Sequence, residues 1–374
     1  MNKKILVFFT FNYDLGTWKN SGILSRELKY YENLVKETNY EITFLTYGDK
    51  FDKKILPIKS NLKILNIFNK KKLFFPLNLI YSFFFIYKNK ELKKFDIFKT
   101  NQNYGSWLAV FAKIIYKKPL IARAGYDLFH FSLLKKNPFK IIVSYFVCFL
   151  IYRFSNIIFI PTTFYKNFIS KCFFVDKRKI KILPNYIDLD NFKFKLRKTK
   201  LPLNFLYLGR IENQKNIKYI IDLFKNNQLL NIDIIGKGSK FSKFNKLVKK
   251  FDNIKLINQY FKNEEIADIF NKYNFFILPS KYEGCPKILL EAMCNGMICF
   301  AFNLPNLNEL IFDQVNGFNL DNNINKTIEK INNIDDKAIE KISIEASSSV
   351  KQSFNLNRIT LLEKGYIKQL IYKK

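Results

Sequence analysis

Short apolar, β-rich runs recur along the whole chain, most of them separated by enough residues for a helix. In the first half they lie at 5–9, 42–47, 62–67, 96–99, 119–123, 157–161 and 180–183. In the second half they lie at 205–208, 232–235, 254–257, 275–278 and 298–302. The runs are continuous rather than alternating, so such strands need apolar cover on both faces. Continuous strands separated by helices predict parallel sheets with helices on either side. The stretch 185–202 is polar with few apolar anchors, and a new strand–turn–helix unit opens at Phe205. The expected architecture is therefore α/β, with two Rossmann-like doubly wound domains, 1–185 and 186–352. Residues 338–374 read as helix with a break near 353–355. Ligands of such sheets sit beyond the carboxyl ends of the strands, so two facing domains would bound a central cleft.

Charge narrows the partners. The chain carries 63 Lys and Arg against 31 Asp and Glu, a net charge of +32. That excess attracts anions: nucleic acid, acidic lipid or phosphorylated small molecules. Heavy use of Lys, Asn, Ile and Phe, as in a low-GC genome, would produce the same excess without any function. A basic nucleic-acid-binding protein is the reading of a different class. No recognition motif supports it, and the basic residues are dispersed.

Five cysteines without a Cys-x-x-Cys pair, and a single His, offer no metal cluster. They read as reduced thiols of a cytoplasmic protein. The apolar run at 5–9 is too short for a signal-peptide core and reads as a first strand. Two longer apolar segments, 73–87 and 141–152, fall short of the roughly 20 residues of a spanning helix. Both are rich in Phe and Tyr and flanked by basic residues. Each is a buried core helix or a helix lying in a membrane interface. The second reading makes the protein peripheral on an anionic membrane surface.

Three segments carry chemistry. In the first, a strand ends at Leu208. Gly209 then permits a tight turn, and Arg210 and Lys215 follow on the loop, two cations suited to a diphosphate. In the second, 232–239, a strand runs into Gly236 and Gly238, with Ser239 placed to cap the next helix. A plain tight turn explains that segment equally well.

The third segment, 278–296, is the most specific. Gly284 allows an unusual backbone angle, Pro286 suits a first helical position, and Gly296 stops the helix. The free amides from Gly284 through Cys285, Pro286 and Lys287 to Ile288 then surround a helix N-terminus, a ready anion and hydroxyl site. Proline itself contributes no N–H. Glu283 stands in the loop before that helix. Glu291 shares a stripe with Lys287 and Asn295. A Lys287–Glu291 surface pair would be poorly oriented, with the cation at the positive helix end. A carboxylate gripping vicinal hydroxyls is the functional alternative.

Glu283, seven intervening residues and Glu291, within Glu-Gly-Cys-Pro-Lys-Ile-Leu-Leu-Glu-Ala-Met, resemble the signature of the retaining glycosyltransferases of family 4 (glycosyl transferases group 1). These enzymes have the GT-B fold, two Rossmann-like domains facing a cleft. Gly209-Arg210 with Lys215-Asn216 is similar to that family's Gly-Arg…Lys loop. The run 182–192 resembles its interdomain Pro-Asn-Gly-Val-Asp…Phe segment.

The resemblance implies a retaining, metal-independent transferase without a cofactor. It would move a sugar from a nucleotide-diphosphate donor to a glycan or lipid-linked acceptor in bacterial surface polysaccharide (lipopolysaccharide or capsule) assembly. It would work on the inner face of the cytoplasmic membrane. Arg210 and Lys215 would neutralise the diphosphate, Glu283 would contact the transferred sugar, and Glu291 would hold the ribose. Gly209 and Gly236 would lie against the donor. The last helix, within 353–374, would cross back to the first domain. A sugar-nucleotide 2-epimerase of the same fold is the alternative enzyme.

The chain departs from the family on the acceptor side. Gly22 and its neighbours stand where a Gly-Gly turn is common. Arg123-Ala-Gly-Tyr-Asp127 stands where many members carry a His, which makes Arg123 and Asp127 candidate cleft residues. The sole His130 reads as structural. Asp188-x-Asp190 matches a metal-binding pattern of another transferase fold, a reading that its interdomain position argues against.

Overall fold

A computed structural model describes residues 3–49, 52–57, 60–68, 75–198 and 201–372. The chain divides into two compact units. One comprises 1–184 with 357–374, the other 185–356. Each is described on its own.

The first unit begins with β1 (Lys4–Phe8), α1 (Leu15–Asn20), α2 (Leu24–Thr38), β2 (Glu41–Thr46), α3 (Asp52–Ile55) and β3 (Lys63–Asn66). It continues with α4 (Phe75–Lys88), β4 (Ile97–Thr100), α5 (Trp107–Tyr116), β5 (Leu120–Arg123) and α6 (Leu128–Lys135). Then come α7 (Pro138–Phe154), β6 (Ile157–Ile160), α8 (Thr163–Phe173) and β7 (Ile180–Ile182). The strands form one sheet in the order β3-β2-β1-β4-β5-β6-β7, and every pairing is parallel.

The second unit comprises β8 (Leu203–Leu208), α9 (Ile217–Phe224), β9 (Leu230–Ile235), α10 (Phe241–Val248), β10 (Ile254–Ile257), α11 (Ile266–Phe270) and β11 (Phe275–Leu278). It ends with α12 (Lys287–Cys294), β12 (Ile298–Phe302), β13 (Phe318–Leu320), α13 (Ile324–Asn332) and α14 (Asp336–Ser353). Its sheet, β10-β9-β8-β11-β12-β13, is also parallel throughout. The final helix, α15 (Leu356–Tyr372), packs with the first unit almost from its start.

Both sheets share the 3-2-1-4-5 order of doubly wound folds, with the direction of winding reversing after their first strand. The strand reading misses β13, a three-residue strand too short to stand out by composition. The helix break expected near 353–355 falls between α14 and α15. The chain enters and leaves the second unit side by side. Ile187 donates its N–H to the Phe354 carbonyl at 2.7 Å, and Leu356 donates back to the Ile187 carbonyl at 3.0 Å.

Helix α15 docks on the first unit through a buried charged cluster. Glu363 pairs with Lys99, which sits mid-sheet on β4, and the Tyr30 hydroxyl donates to the other Glu363 oxygen. Burial draws the Lys99 ammonium down to about 8, against the opposing pull of Glu363. Tyr366 adds a ring contact with Phe159 at 5.8 Å.

Segment 141–152 lies within α7, and the described part of 73–87 lies within α4; Leu73 and Phe74 fall outside the described residues. Neither is a buried core helix, since each leaves an apolar stripe in solvent. Among the described residues no helix is long and apolar enough to cross a membrane.

Candidate functional site

The winding of the second sheet reverses between β8 and β11, the place where open α/β sheets bind ligands beyond their strand ends. β8 runs into Gly209–Lys215 and β11 into Pro279–Gly284, while β9, beside β8, runs into Gly236–Ser239. Three motifs far apart in sequence therefore leave three adjacent strands on one edge.

The two loops at the reversal are tied together. The Gln214 carbonyl accepts from the Lys281 N–H at 2.9 Å, and the Gln214 amide donates to the Tyr282 carbonyl at 2.8 Å. Lys215, in the 3-10 turn Asn213–Lys215, is buried and places its Nζ 2.5 Å from Glu283 Oε1. Asn306 donates to the Glu283 carbonyl and so fixes that loop from β12's side. Arg210 is exposed at the end of β8. It and Glu283 both act electrostatically on Tyr207 and Tyr282, so opposite charges flank these two rings. The Tyr207 hydroxyl donates to the Arg210 carbonyl at 2.8 Å, and burial raises its phenol well above the ordinary value.

Helix α12 starts at Lys287 with Pro286 as its N-cap, one position earlier than a proline at the first helical residue. Gly284 is not among the positive-φ glycines, so its turn needs no left-handed backbone; Gly296, at φ +83°, does end the helix as expected. Every residue from Leu289 to Cys294 is buried, not one inward face, because α14 covers the helix. Ser347 donates to the Cys294 carbonyl at 2.7 Å, and Ser343 to that of Gly296 at 2.6 Å. Glu291 is buried, which excludes a surface pair with Lys287. The Lys287 ammonium lies 4.4 Å over the Tyr186 ring, which shelters a cation at a helix end that disfavours one. Cys285 is buried, its thiol pushed up to about 11 by desolvation, and Asn185 donates to its carbonyl.

Gly236 and Gly238 serve close backbone packing. A Cβ on Gly236 would stand 1.8 Å from the Gly209 carbonyl oxygen, and one on Gly238 would stand 2.3 Å from that of Ile211. Ser239 does not cap α10, whose N-cap is Lys240. Its N–H and hydroxyl instead bond both carboxylate oxygens of Glu212 at 2.8 Å, which holds the two loops flush.

The acceptor-side candidates occupy structural places. Gly22, at φ +67°, turns the chain between α1 and α2. Arg123 ends β5 with its guanidinium 4.7 Å over Tyr30 and 3.9 Å from Glu27. Asp127 is buried; it caps α6 by accepting from the His130 N–H at 2.6 Å and accepts from the Tyr152 hydroxyl at 2.6 Å. Desolvation raises the Asp127 carboxyl to about 6. His130 packs among Phe164, Tyr165 and Phe168, and burial lowers its imidazole.

The first sheet reverses between β1 and β4. The loops there are locked by the Phe11 N–H on the Tyr104 carbonyl at 3.2 Å and by Gly105, whose Cβ would meet the Phe11 nitrogen at 2.5 Å. Tyr13 and Tyr104 are exposed on these loops. Sequence reading missed them, as it missed Asn306 and Glu212, because only the strand order singles them out.

Among the described residues no group of three or more His, Cys, Asp or Glu side chains is placed to hold a metal. Asp188 uses its carboxylate on a local turn, accepting from the Asn191 amide at 3.0 Å.

Comparison with known proteins agrees with this arrangement. The family model described as glycosyl transferases group 1 matches residues 188–343. The Escherichia coli UDP-Gal:alpha-D-GlcNAc-diphosphoundecaprenol alpha-1,3-galactosyltransferase is 25% identical over 309 residues, covering 77% of this chain and 79% of the relative. Anabaena Alr3699/HepE, solved in complex with UDP and glucose, superposes with a TM-score of 0.72 at 13% identity, covering 98% of this chain and 100% of that one. The lipopolysaccharide outer core galactosyltransferase WaaB in its apo form gives a TM-score of 0.72 at 18% identity, covering 98% and 99%. The two parallel α/β units are those of the GT-B fold, and residues 188–343 carry the match to glycosyl transferases group 1.

Proposed function

We propose that the chain is a retaining, metal-independent transferase moving a sugar from a nucleoside-diphosphate donor to a glycan or lipid-linked acceptor of a bacterial surface polysaccharide. The observation that carries this reading is the buried Lys215–Glu283 pair at the reversal of the second sheet, flanked by Arg210 and the start of α12. A helix N-terminus and two cations suit a diphosphate. Glu291, buried on α12, would take the ribose hydroxyls.

In the reaction the bond from the anomeric carbon to the diphosphate oxygen breaks, and the acceptor oxygen forms the new bond on the same face. Arg210 and Lys215 stabilise the charge that grows on the leaving diphosphate, a role a metal fills elsewhere. Glu283 orients Lys215 and faces the sugar. The acceptor's proton passes to a leaving-group phosphate oxygen. The donor set supports metal independence, since the charge on the diphosphate is met by side chains. Relatives named for UDP-galactose and for UDP complexes make a uridine nucleotide the first donor to test. Work at the anionic inner face of the cytoplasmic membrane fits the basic, apolar first unit.

The test is a thermal-shift panel of nucleotide sugars in the presence of a chelator. UDP-sugars should stabilise the unmodified protein, and Glu291→Ala and Arg210→Ala should lose the shift. A panel without any stabilising nucleotide sugar sinks the proposal. Product analysis with and without an acceptor then separates transfer from 2-epimerisation.

A further inference from the structure

Two helices of the first unit leave large apolar side chains in solvent while burying small polar ones. On α7 the buried positions include Ser144 and Cys148, while Phe139, Ile142 and Phe146 are 75%, 57% and 59% exposed. On α4, Asn78 and Ser82 point inward, while Ile80 and Phe84 are 65% and 54% exposed. The outward residues recur every three to four positions, so each set forms one stripe. Both helices also bury apolar residues, Ile86 on α4 and Ile151 on α7, so each is apolar on two sides, and a row of large exposed apolar side chains marks an interaction surface.

The stripes belong to one layer. α5 lies between the helices, with Phe83 of α4 against Phe111 of α5 at 5.0 Å, and α5 in turn touches α7. All three helices cover the same side of the sheet, since Ile86, Ala112 and Ile151 share one core cluster with Phe8, Phe98 and Leu120.

Charge selects the occupant. From Lys53 to Lys90, and again from Leu128 to Val175, the chain has no Asp or Glu. The basic residues there include Lys88, Lys135, Lys136, Lys140 and Arg153. A second copy would set cations against cations, which disfavours self-association. An apolar stripe between basic residues matches the acyl chains and headgroups of an anionic leaflet.

Both helices also reach the loops at the reversal of the first sheet. Asn78 of α4 donates to Asn12 at 3.0 Å, and Asn103 donates to the Tyr152 hydroxyl of α7 at 2.7 Å. Asn78 and Tyr152 therefore tie the loops at this reversal to the layer that carries the stripes, while Ser82 and Ser144 donate to carbonyls of their own helices.

We infer that α4 and α7 insert side by side into one leaflet of an anionic membrane and hold the β1–β4 edge, with Tyr13 and Tyr104, at headgroup level to receive an acceptor whose lipid stays in the leaflet. This rests on the lipid-linked acceptor of the proposed function and adds which surface docks and which edge it serves. Retention has an apolar part, so high salt weakens it without abolishing it.

The experiment is co-sedimentation of the full chain with vesicles of equimolar phosphatidylglycerol and phosphatidylcholine, and with phosphatidylcholine alone. The combined variant Ile80→Asn, Ile142→Asn, Phe146→Asn should lower partitioning into the anionic vesicles at least about tenfold. Leu229→Asn with Phe312→Asn, exposed apolar residues of the second unit, should leave it unchanged. UDP should stabilise the combined variant as it does the unmodified protein. In a second measurement, the indole of Phe146→Trp should be quenched by lipids brominated along the acyl chain.

Undiminished partitioning of the combined variant, an unquenched indole, or no binding to anionic vesicles at low salt each overturns the inference. So does a solution dimer that the combined variant dissolves while vesicle binding persists. Failure of UDP to stabilise even the unmodified protein counts instead against the donor site and leaves the vesicle result standing.

Discussion

Lys215 and Glu283 are 68 positions apart, and each is buried with the other as its ionic partner. On the proposed reading, a cation so placed would already be oriented for a diphosphate and would reorganise little as charge develops. Lys215→Ala should lower kcat about a hundred- to thousandfold, read in steady-state transfer assays. It also strands a buried carboxylate, so the melting temperature should fall. Adding Glu283→Gln should recover part of that fall and none of the activity. Recovery of both would mean the pair is only structural.

Asp127 makes a separate residue-scale prediction. Its folded carboxyl titrates near 6 rather than the usual 3.8, because burial outweighs its hydrogen bonds. A raised acid favours the folded state fully below the unfolded value and loses that contribution as pH rises through 6. Relative to Asp127→Asn, the unmodified protein should therefore lose about 2 kcal/mol between pH 4 and 7, read from urea melts. A constant difference between the two proteins across that range rejects the assignment.

At the scale of elements, the three motif loops are set by how their strands lie. The β9 loop lies so close on the β8 loop that Gly236 has no room for a side chain. Gly236→Ala should destabilise the second unit by about 2–4 kcal/mol and abolish the nucleotide-dependent thermal shift. Wild-type stability would show that the loops can part freely. Most elements were legible because a fully covered parallel strand is a continuous apolar run. β13 was not, since three residues carry too little pattern. The burial of α12 on all sides was hidden too, because its cover comes from α14, some fifty residues further along. Ser239 illustrates the same limit. Its type suits a helix cap, yet a carboxylate from the neighbouring strand's loop takes its bonds.

At the scale of the molecule, the C-terminal helix completes the first unit. Glu363 meets a lysine in the middle of the β4 strand, where an unpaired ammonium is costly. Glu363→Ala should cost about 3–5 kcal/mol in equilibrium unfolding. Replacing the pair together, Lys99→Met with Glu363→Leu, should restore part of it, since two apolar groups need no partner while the buried Tyr30 hydroxyl loses its acceptor. If the double variant is no more stable than Glu363→Ala, the helix docks by other contacts.

The sequence by itself determined the parallel two-unit architecture, the division near residue 185 and the order of the three glycine-bearing motifs. These depend on local apolar pattern and turn chemistry, which neighbouring residues carry. Only the tertiary structure decided that Lys215 pairs with Glu283, that Glu291 is buried, that Arg123 and Asp127 are held in internal networks, and that α4 and α7 each leave an apolar stripe in solvent. Each of those depends on which distant segment lies opposite a side chain, and strand order and helix packing set that.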